Sequence, residues 1–174
     1  MRPSAEAFRL ERDDAIIALE AGVLAGKNSK ALLDGLNIKK LYLMDRWHEH
    51  YEHYHVPQIY DYVKGVFKEF SGDDRVCIIG SNSLEFELWP DNYFDYVYLD
   101  NDHSYEHVKK EVPFYWEKLK KGGMLCGDNY EQPGVEKAVN EFLEDLPQQT
   151  IIRTCEWKKA AGSGIPVLDW WIWK

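Results

Sequence analysis

Short apolar runs, most of them ending on an acid, alternate along this chain with longer stretches whose apolar residues recur at helical spacing. Residues 15–20 form the first run, ending at Glu20, and Ala21-Gly22-Val23-Leu24-Ala25-Gly26 follows it: a buried strand feeding a glycine turn. Asn28 or Ser29 can cap the next helix, whose apolar side holds Ala31, Leu32, Leu33 and Leu36. Residues 40–45 are a second strand, ending at Asp45. Pro57 opens a helix carrying Ile59, Tyr62, Val63, Val66, Phe67 and Phe70, which Gly72 and two aspartates stop. Residues 75–79 form a third strand before the polar turn Gly80-Ser81-Asn82-Ser83, and residues 93–100 a fourth, ending at Asp100.

From Ser104 to Leu119 one helical face carries Val108, Val112, Trp116 and Leu119; Pro113 inside that pattern should kink or divide it, and Gly122-Gly123 should end the segment. Residues 123–128 are a fifth strand, ending at Asp128, and the stripe from Val135 to Leu146 is a helix that Pro147 terminates. The tail changes character. Residues 150–155 and 167–173 are strands with no helix between them, joined across Ala160-Ala161-Gly162-Ser163-Gly164, which predicts an antiparallel hairpin. Trp170, Trp171, Ile172 and Trp173 put large apolar groups on both faces of the last strand, so one face covers the sheet and the other meets a helix or a second subunit, a homo-oligomer.

Alternating strands and helices imply an α/β fold, a mostly parallel sheet with helices on both faces and an antiparallel terminal hairpin. All of residues 1–174 form one domain, with residues 1–14 a short lead-in before the first strand. In such sheets ligands bind outside the carboxyl ends of the strands, where these acids lie.

Composition narrows the classes. The 174 residues are 45% hydrophobic and include 7 Trp, 11 Tyr and 7 Phe, ample for a core, and no apolar run is long enough to cross a membrane. Residues 1–6 lack the apolar stretch expected of a secretory signal, and the three cysteines (Cys77, Cys126, Cys155) read as buried thiols of a reducing compartment, so the cytoplasm is the expected location. A net charge of −9 repels phosphate backbones, which argues against nucleic acid as a partner.

Gly22 and Gly26 give G-x-x-x-G, not the dinucleotide fingerprint G-x-G-x-x-G. With Glu20 before the turn and Asp45 ending the next strand, where a carboxylate can accept both ribose hydroxyls, the set favours a nucleoside ligand over an ordinary turn. Asp100 and Asp102 flank the end of the fourth strand, with His103 beside them, and Asp128-Asn129 ends the fifth. Neighbouring strands lie about 4.8 Å apart, so Asp100, Asp128 and Asn129 can converge as a hard oxygen set for Mg²⁺, or for Ca²⁺ or Mn²⁺. Helix capping by Asp102 or Ser104 is the plainer alternative for one of these residues.

The pattern resembles the class I S-adenosylmethionine (SAM)-dependent methyltransferases, the compact small-molecule O-methyltransferase-like group above all. The likeness runs from about Ile16 to Trp173 and is most specific at Tyr98-Leu99-Asp100-Asn101-Asp102-His103-Ser104-Tyr105. It implies a Rossmann-like seven-stranded sheet of order 3-2-1-4-5-7-6. It also implies that Glu20, Gly22, Gly26, Asp45, Asn82 and Asp100 line the SAM site, Gly22 at the methionine part, Asp45 at the ribose and Asn82 at the adenine. Asp100, Asp128 and Asn129 look like the Mg²⁺ set of catechol-type enzymes, and Asp102 matches the position of their general base.

On that reading the chain methylates a small hydroxylated molecule, a sugar or phenol, with a divalent ion orienting the hydroxyl and Asp102 or His103 taking its proton. A non-catalytic SAM- or nucleoside-binding protein acting through partners is the alternative. After Trp47, residues 48–55 pack four histidines into eight residues; the stretch reads as a polar aromatic loop beside the cofactor pocket, ahead of a zinc site. With so short a lead-in, the acceptor side is expected to stand open or to be closed by a partner.

Overall fold

The computed structural model describes residues 1–47, 56–85, 88–159 and 164–174. Its elements follow the chain as α1 (Pro3–Glu11), β1 (Ile16–Ala21), α2 (Lys27–Gly35), β2 (Ile38–Asp45), α3 (Val56–Phe70), β3 (Val76–Gly80), β4 (Phe94–Leu99), α4 (Tyr105–Lys118), β5 (Leu119–Gly127), α5 (Pro133–Glu144), β6 (Arg153–Lys159) and β7 (Pro166–Trp173). The seven strands form one sheet in the order β3-β2-β1-β4-β5-β7-β6, the order the resemblance implies. Strands β1 to β5 are mutually parallel, and β7 runs antiparallel to both β5 and β6.

Side chains alternate across the sheet. In β1, Ile16 and Ala18 join the core under α1, α2 and α3, with Phe8, Leu32, Val66 and Phe70, whereas Leu19 and Ala21 join the core under α4 and α5, with Val108, Val112 and Val139. Every residue of β4 is buried, as a central strand covered on both faces requires. No helix among the described residues is long and apolar enough to cross a membrane.

Several local expectations are corrected. Pro113 lies inside α4 without dividing it. Proline removes the bond to the carbonyl four residues back, here that of Lys109, which is exposed and can be hydrated instead. The pair Gly122-Gly123 does not end a helical segment; it lies within β5, which begins at Leu119, because Gly122 N–H donates to Lys174 O (2.8 Å) and Gly123 O accepts from Lys174 N–H (2.9 Å). Neither Asn28 nor Ser29 caps α2; Gly26 holds that place in the left-handed conformation. Helix α5 ends at Glu144, before Leu146, and β6 begins at Arg153 rather than at residue 150. Of the three cysteines only Cys126 is buried; Cys155 is exposed on the edge strand.

The lead-in is a helix. α1 lays Ala5 and Phe8 on the sheet, and the Phe8 ring stacks on Trp173 at 5.4 Å. The chain's own α1 thus covers the face of β7 for which a second subunit was weighed.

Candidate active site

The glycine turn after β1 is held by the strands on either side. Gly22 N–H donates to Met44 O (2.9 Å), and Asp100 N–H donates to Ala21 O (2.7 Å). Gly22 sits at φ +92°, and a Cβ there would lie 1.9 Å from the Asp100 carbonyl oxygen, so only glycine fits. Asp45, 4% exposed, accepts the N–H groups of both Val23 and Leu24 at 2.8 Å through one carboxylate oxygen. The acid expected at the ribose therefore also fixes the loop facing it. Trp47 donates from its indole to Leu24 O (2.9 Å), pinning the same loop. Glu20 is buried and receives the Ser29 hydroxyl; burial pushes its carboxyl up to about 7 against that bond. Asn82 uses its side-chain oxygen to accept Leu84 N–H (3.0 Å), a local turn that leaves it at the β3 end where the adenine contact was expected. Buried acids at strand ends around a glycine turn fit a nucleoside-bearing donor, with Gly22, Asp45 and Asn82 as the residues that would hold it.

At the ends of β4 and β5 the expected metal ligands meet a different cation. Arg2, only 7% exposed, inserts between them: Nη2 donates to Asp100 Oδ2 (2.8 Å), and Nη1 lies 2.8 Å from Asp128 Oδ2 as an ion pair rather than an aligned hydrogen bond. Its guanidinium carbon stands 3.8 Å from the centre of the Trp157 ring and 5.2 Å from that of Tyr98. Trp157 also donates from its indole to Asp128 Oδ1 (3.4 Å). Burial works against the charge on Arg2, but Tyr98, Asp100 and Asp128 raise its pKa further still. Burial and the charge of Asp128 push the Asp100 carboxyl above its usual range, and Arg2 opposes them.

The Mg²⁺ expectation gains no support from this arrangement. Among the described residues no group of three or more His, Cys, Asp or Glu is arranged to hold a metal ion. Asp100 and Asp128 do converge, but on a guanidinium. Asn129 enters through its backbone, at φ 57°, donating its N–H to Asp128 Oδ1 (2.8 Å).

The two candidate bases are set apart by their partners. Asp102 accepts Ser104 N–H (2.8 Å) at the start of α4 and stands 3.5 Å from Arg46. Burial alone would raise its carboxyl, but the Ser104 backbone and hydroxyl, with His107 and Arg46, hold it below the usual range. Neither Asp102 nor Ser104 caps α4 through its side chain, since the N–H that Asp102 accepts belongs to Ser104, just before the helix; the carboxylate is stabilised all the same, and a stabilised carboxylate is a weak base. His103 places Nε2 3.7 Å from Asp100 Oδ1, and burial lowers its pKa despite the acids around it, so the ring is neutral near pH 7. A recess beside it is lined by Leu99, Asp102, His103, Val108, Glu111 and Asp128, among others.

Other residues that shape the site were missed from sequence. Asn101 donates to Glu111 (2.7 Å) and to Ser83 (3.0 Å), tying the loop after β4 to α4 and to the β3 side. Asp169, fully buried, accepts Ser4 N–H and the Tyr98 hydroxyl, each at 2.7 Å, and so anchors the start of α1 and with it Arg2. A lone acid between Leu168 and Trp170 in an apolar strand was a readable signal for Asp169. Arg2 carried none, since its partners lie far along the chain. The histidine-rich stretch 48–55 falls outside the described residues.

A family model described as a methyltransferase domain matches residues 19–130. An uncharacterised protein, R132 of Acanthamoeba polyphaga mimivirus, is 32% identical over 59 residues, a match spanning 32% of this chain and 27% of that protein. Among solved structures, an rRNA methylase from Streptococcus thermophilus superposes with a TM-score of 0.68 at 18% identity, covering 100% of this chain and 97% of its own. A Streptococcus mutans protein in complex with S-adenosylhomocysteine (SAH) gives 0.69 at 17%, covering 99% and 97%. The N-methyltransferase NodS from Bradyrhizobium japonicum gives 0.65 at 15%, covering 97% and 90%. These likenesses establish a shared fold. The matched segment 19–130 carries the glycine turn, Asp45 and the β4 and β5 ends, and on it the chain belongs to the methyltransferase-domain family of SAM-dependent enzymes.

Proposed function

We propose that the chain moves a methyl group from SAM to a hydroxyl of a small molecule seated over the ends of β4 and β5, with His103 taking the proton. The donor supplies its methyl already activated on a sulfonium, so the protein need only position a nucleophile in line and receive its proton. The carbon–sulfur bond breaks as the carbon–oxygen bond forms, leaving SAH and the methylated acceptor.

The observation that carries this reading is the placement of His103. Burial favours its neutral imidazole, which sits beside the strand ends 3.7 Å from Asp100, whereas Asp102 is engaged with the Ser104 N–H just before α4. Gly22 and Asp45 hold the donor end; Asn101, through Glu111 and Ser83, positions the loop that carries His103. The acidic charge of the chain disfavours a nucleic-acid acceptor and is compatible with a neutral hydroxyl.

The test is calorimetric binding of SAH, followed by release of SAH from SAM with a panel of phenols and sugars. We expect binding in the micromolar range, turnover with a hydroxyl acceptor, and a fall in kcat of about 10²–10³-fold in His103→Ala with SAH affinity retained. Absence of SAH binding overturns the donor assignment. Turnover confined to nitrogen acceptors, or undiminished in His103→Ala, overturns the acceptor or the base.

A further inference from the structure

Arg2 occupies a cup whose walls suit a planar cation better than a spherical one. Its rim carries Asp100 and Asp128, each 2.8 Å from a different guanidinium nitrogen, so the fork spans two carboxylates belonging to neighbouring strands. The guanidinium carbon of the same group lies over the Trp157 ring, 3.8 Å from its centre, and over the Tyr98 ring at 5.2 Å. A divalent ion needs oxygen ligands or water on every side; the indole and phenol faces offer neither, so such an ion would be held by the two carboxylates and solvent alone, and weakly. Arg2 is also delivered to the cup by construction. Asp169 accepts Ser4 N–H two residues on, and Ala5 and Phe8 pack one face of α1 into the core.

We infer that Asp100 and Asp128 form a guanidinium site and that Arg2 is its resident cation, taking the place of the divalent ion in this chain. The positive charge beside the acceptor position is then covalently part of the protein, held whenever α1 is docked. For catalysis the inference rests on the methyl-transfer reading above, and it implies turnover that needs no divalent ion at these acids. For binding it stands alone, because cation occupancy can be measured without turnover.

The experiment is a Mn²⁺ titration followed by electron paramagnetic resonance, on the parent chain, on Arg2→Met and on Arg2→Met/Asp128→Asn. The parent is expected to show no saturable site. Arg2→Met, with its two acids released, is expected to take one Mn²⁺ with a Kd on the order of 10⁻⁴–10⁻³ M, and the double variant to lose it again. In parallel, about 10 mM methylguanidinium should raise the melting temperature of Arg2→Ala by about 3 °C more than that of the parent, since it refills the cup. That gain upholds the guanidinium site even where Arg2→Met binds no metal. One Mn²⁺ per parent chain, lost in Asp128→Asn, overturns the inference, because Arg2 would then yield the acids to a metal. So does a folded pair of Arg2 variants that neither takes Mn²⁺ nor gains from methylguanidinium. Since neither readout involves SAM or an acceptor, a wrong acceptor assignment leaves both intact.

Discussion

The β1–β2 end of the sheet and the β4–β5 end both present buried acids just past parallel strands, yet the acids do different work. Asp45 binds the amides of Val23 and Leu24, 22 and 21 residues away within one β–α–β unit. Asp100 binds a guanidinium 98 residues away, brought in by a helix that precedes the sheet. The first end is assembled by local chain geometry and presents backbone and acid to a ligand. The second is assembled by tertiary docking and already holds a cation. Residues of one type at matching topological places are thus assigned by what else the fold brings to them.

The largest break in this comparison comes at the point where the two ends touch. Gly22→Ala would drive a methyl into the Asp100 carbonyl at a φ that alanine resists, and is expected to cost about 4 kcal/mol, read by chemical denaturation, with SAH binding lost. A variant of near-parent stability would mean the turn can move away from β4.

A pH series on a Glu20 variant addresses the local end. The Glu20 carboxyl is raised from 4.5 to about 7 in the folded chain, so between those values the folded state holds more protons than the unfolded one. Its contribution to stability is therefore complete below pH 4.5 and is lost as pH rises through about 7, with an upper bound of about 3 kcal/mol. In melts of the unliganded chain, Glu20→Gln should flatten that decline. An unchanged slope would show that Glu20 is solvated in the folded state.

A smaller effect should separate the two ends. Asp169→Ala leaves Ser4 N–H and the Tyr98 hydroxyl unpaired and loosens α1, at a cost of about 2 kcal/mol. It should weaken SAH binding less than about twofold, because Asp45 and the glycine turn do not depend on α1. Equal losses at both ends would mean that they are one cooperative unit.

Much of the fold was legible because its signals are local. The short apolar runs of β1 and β4, the helical stripes of α3 and α5 and the helix-free tail are each legible over a few residues, and together they imply a parallel sheet with a terminal hairpin. Legibility failed where a distant partner decided the outcome. Gly122 and Gly123 are helix-ending residues by type, but Lys174 pairs with them and extends β5. Pro113 is a helix breaker by type, but α4 runs on through it from Tyr105 to Lys118. Ser29, a capping residue by type, spends its hydroxyl on Glu20.

The candidate site divides in the same way. Sequence alone determined that acids at 45, 100 and 128 and glycines at 22 and 26 would gather at the strand ends, because a parallel sheet sends every strand's carboxyl end to one edge. Only the tertiary structure decided what those acids bind. Two carboxylates on neighbouring strands attract a cation whatever its source, and the choice between a metal ion and a guanidinium turns on whether the fold can seat Arg2 between them, on Trp157, with α1 anchored at Asp169.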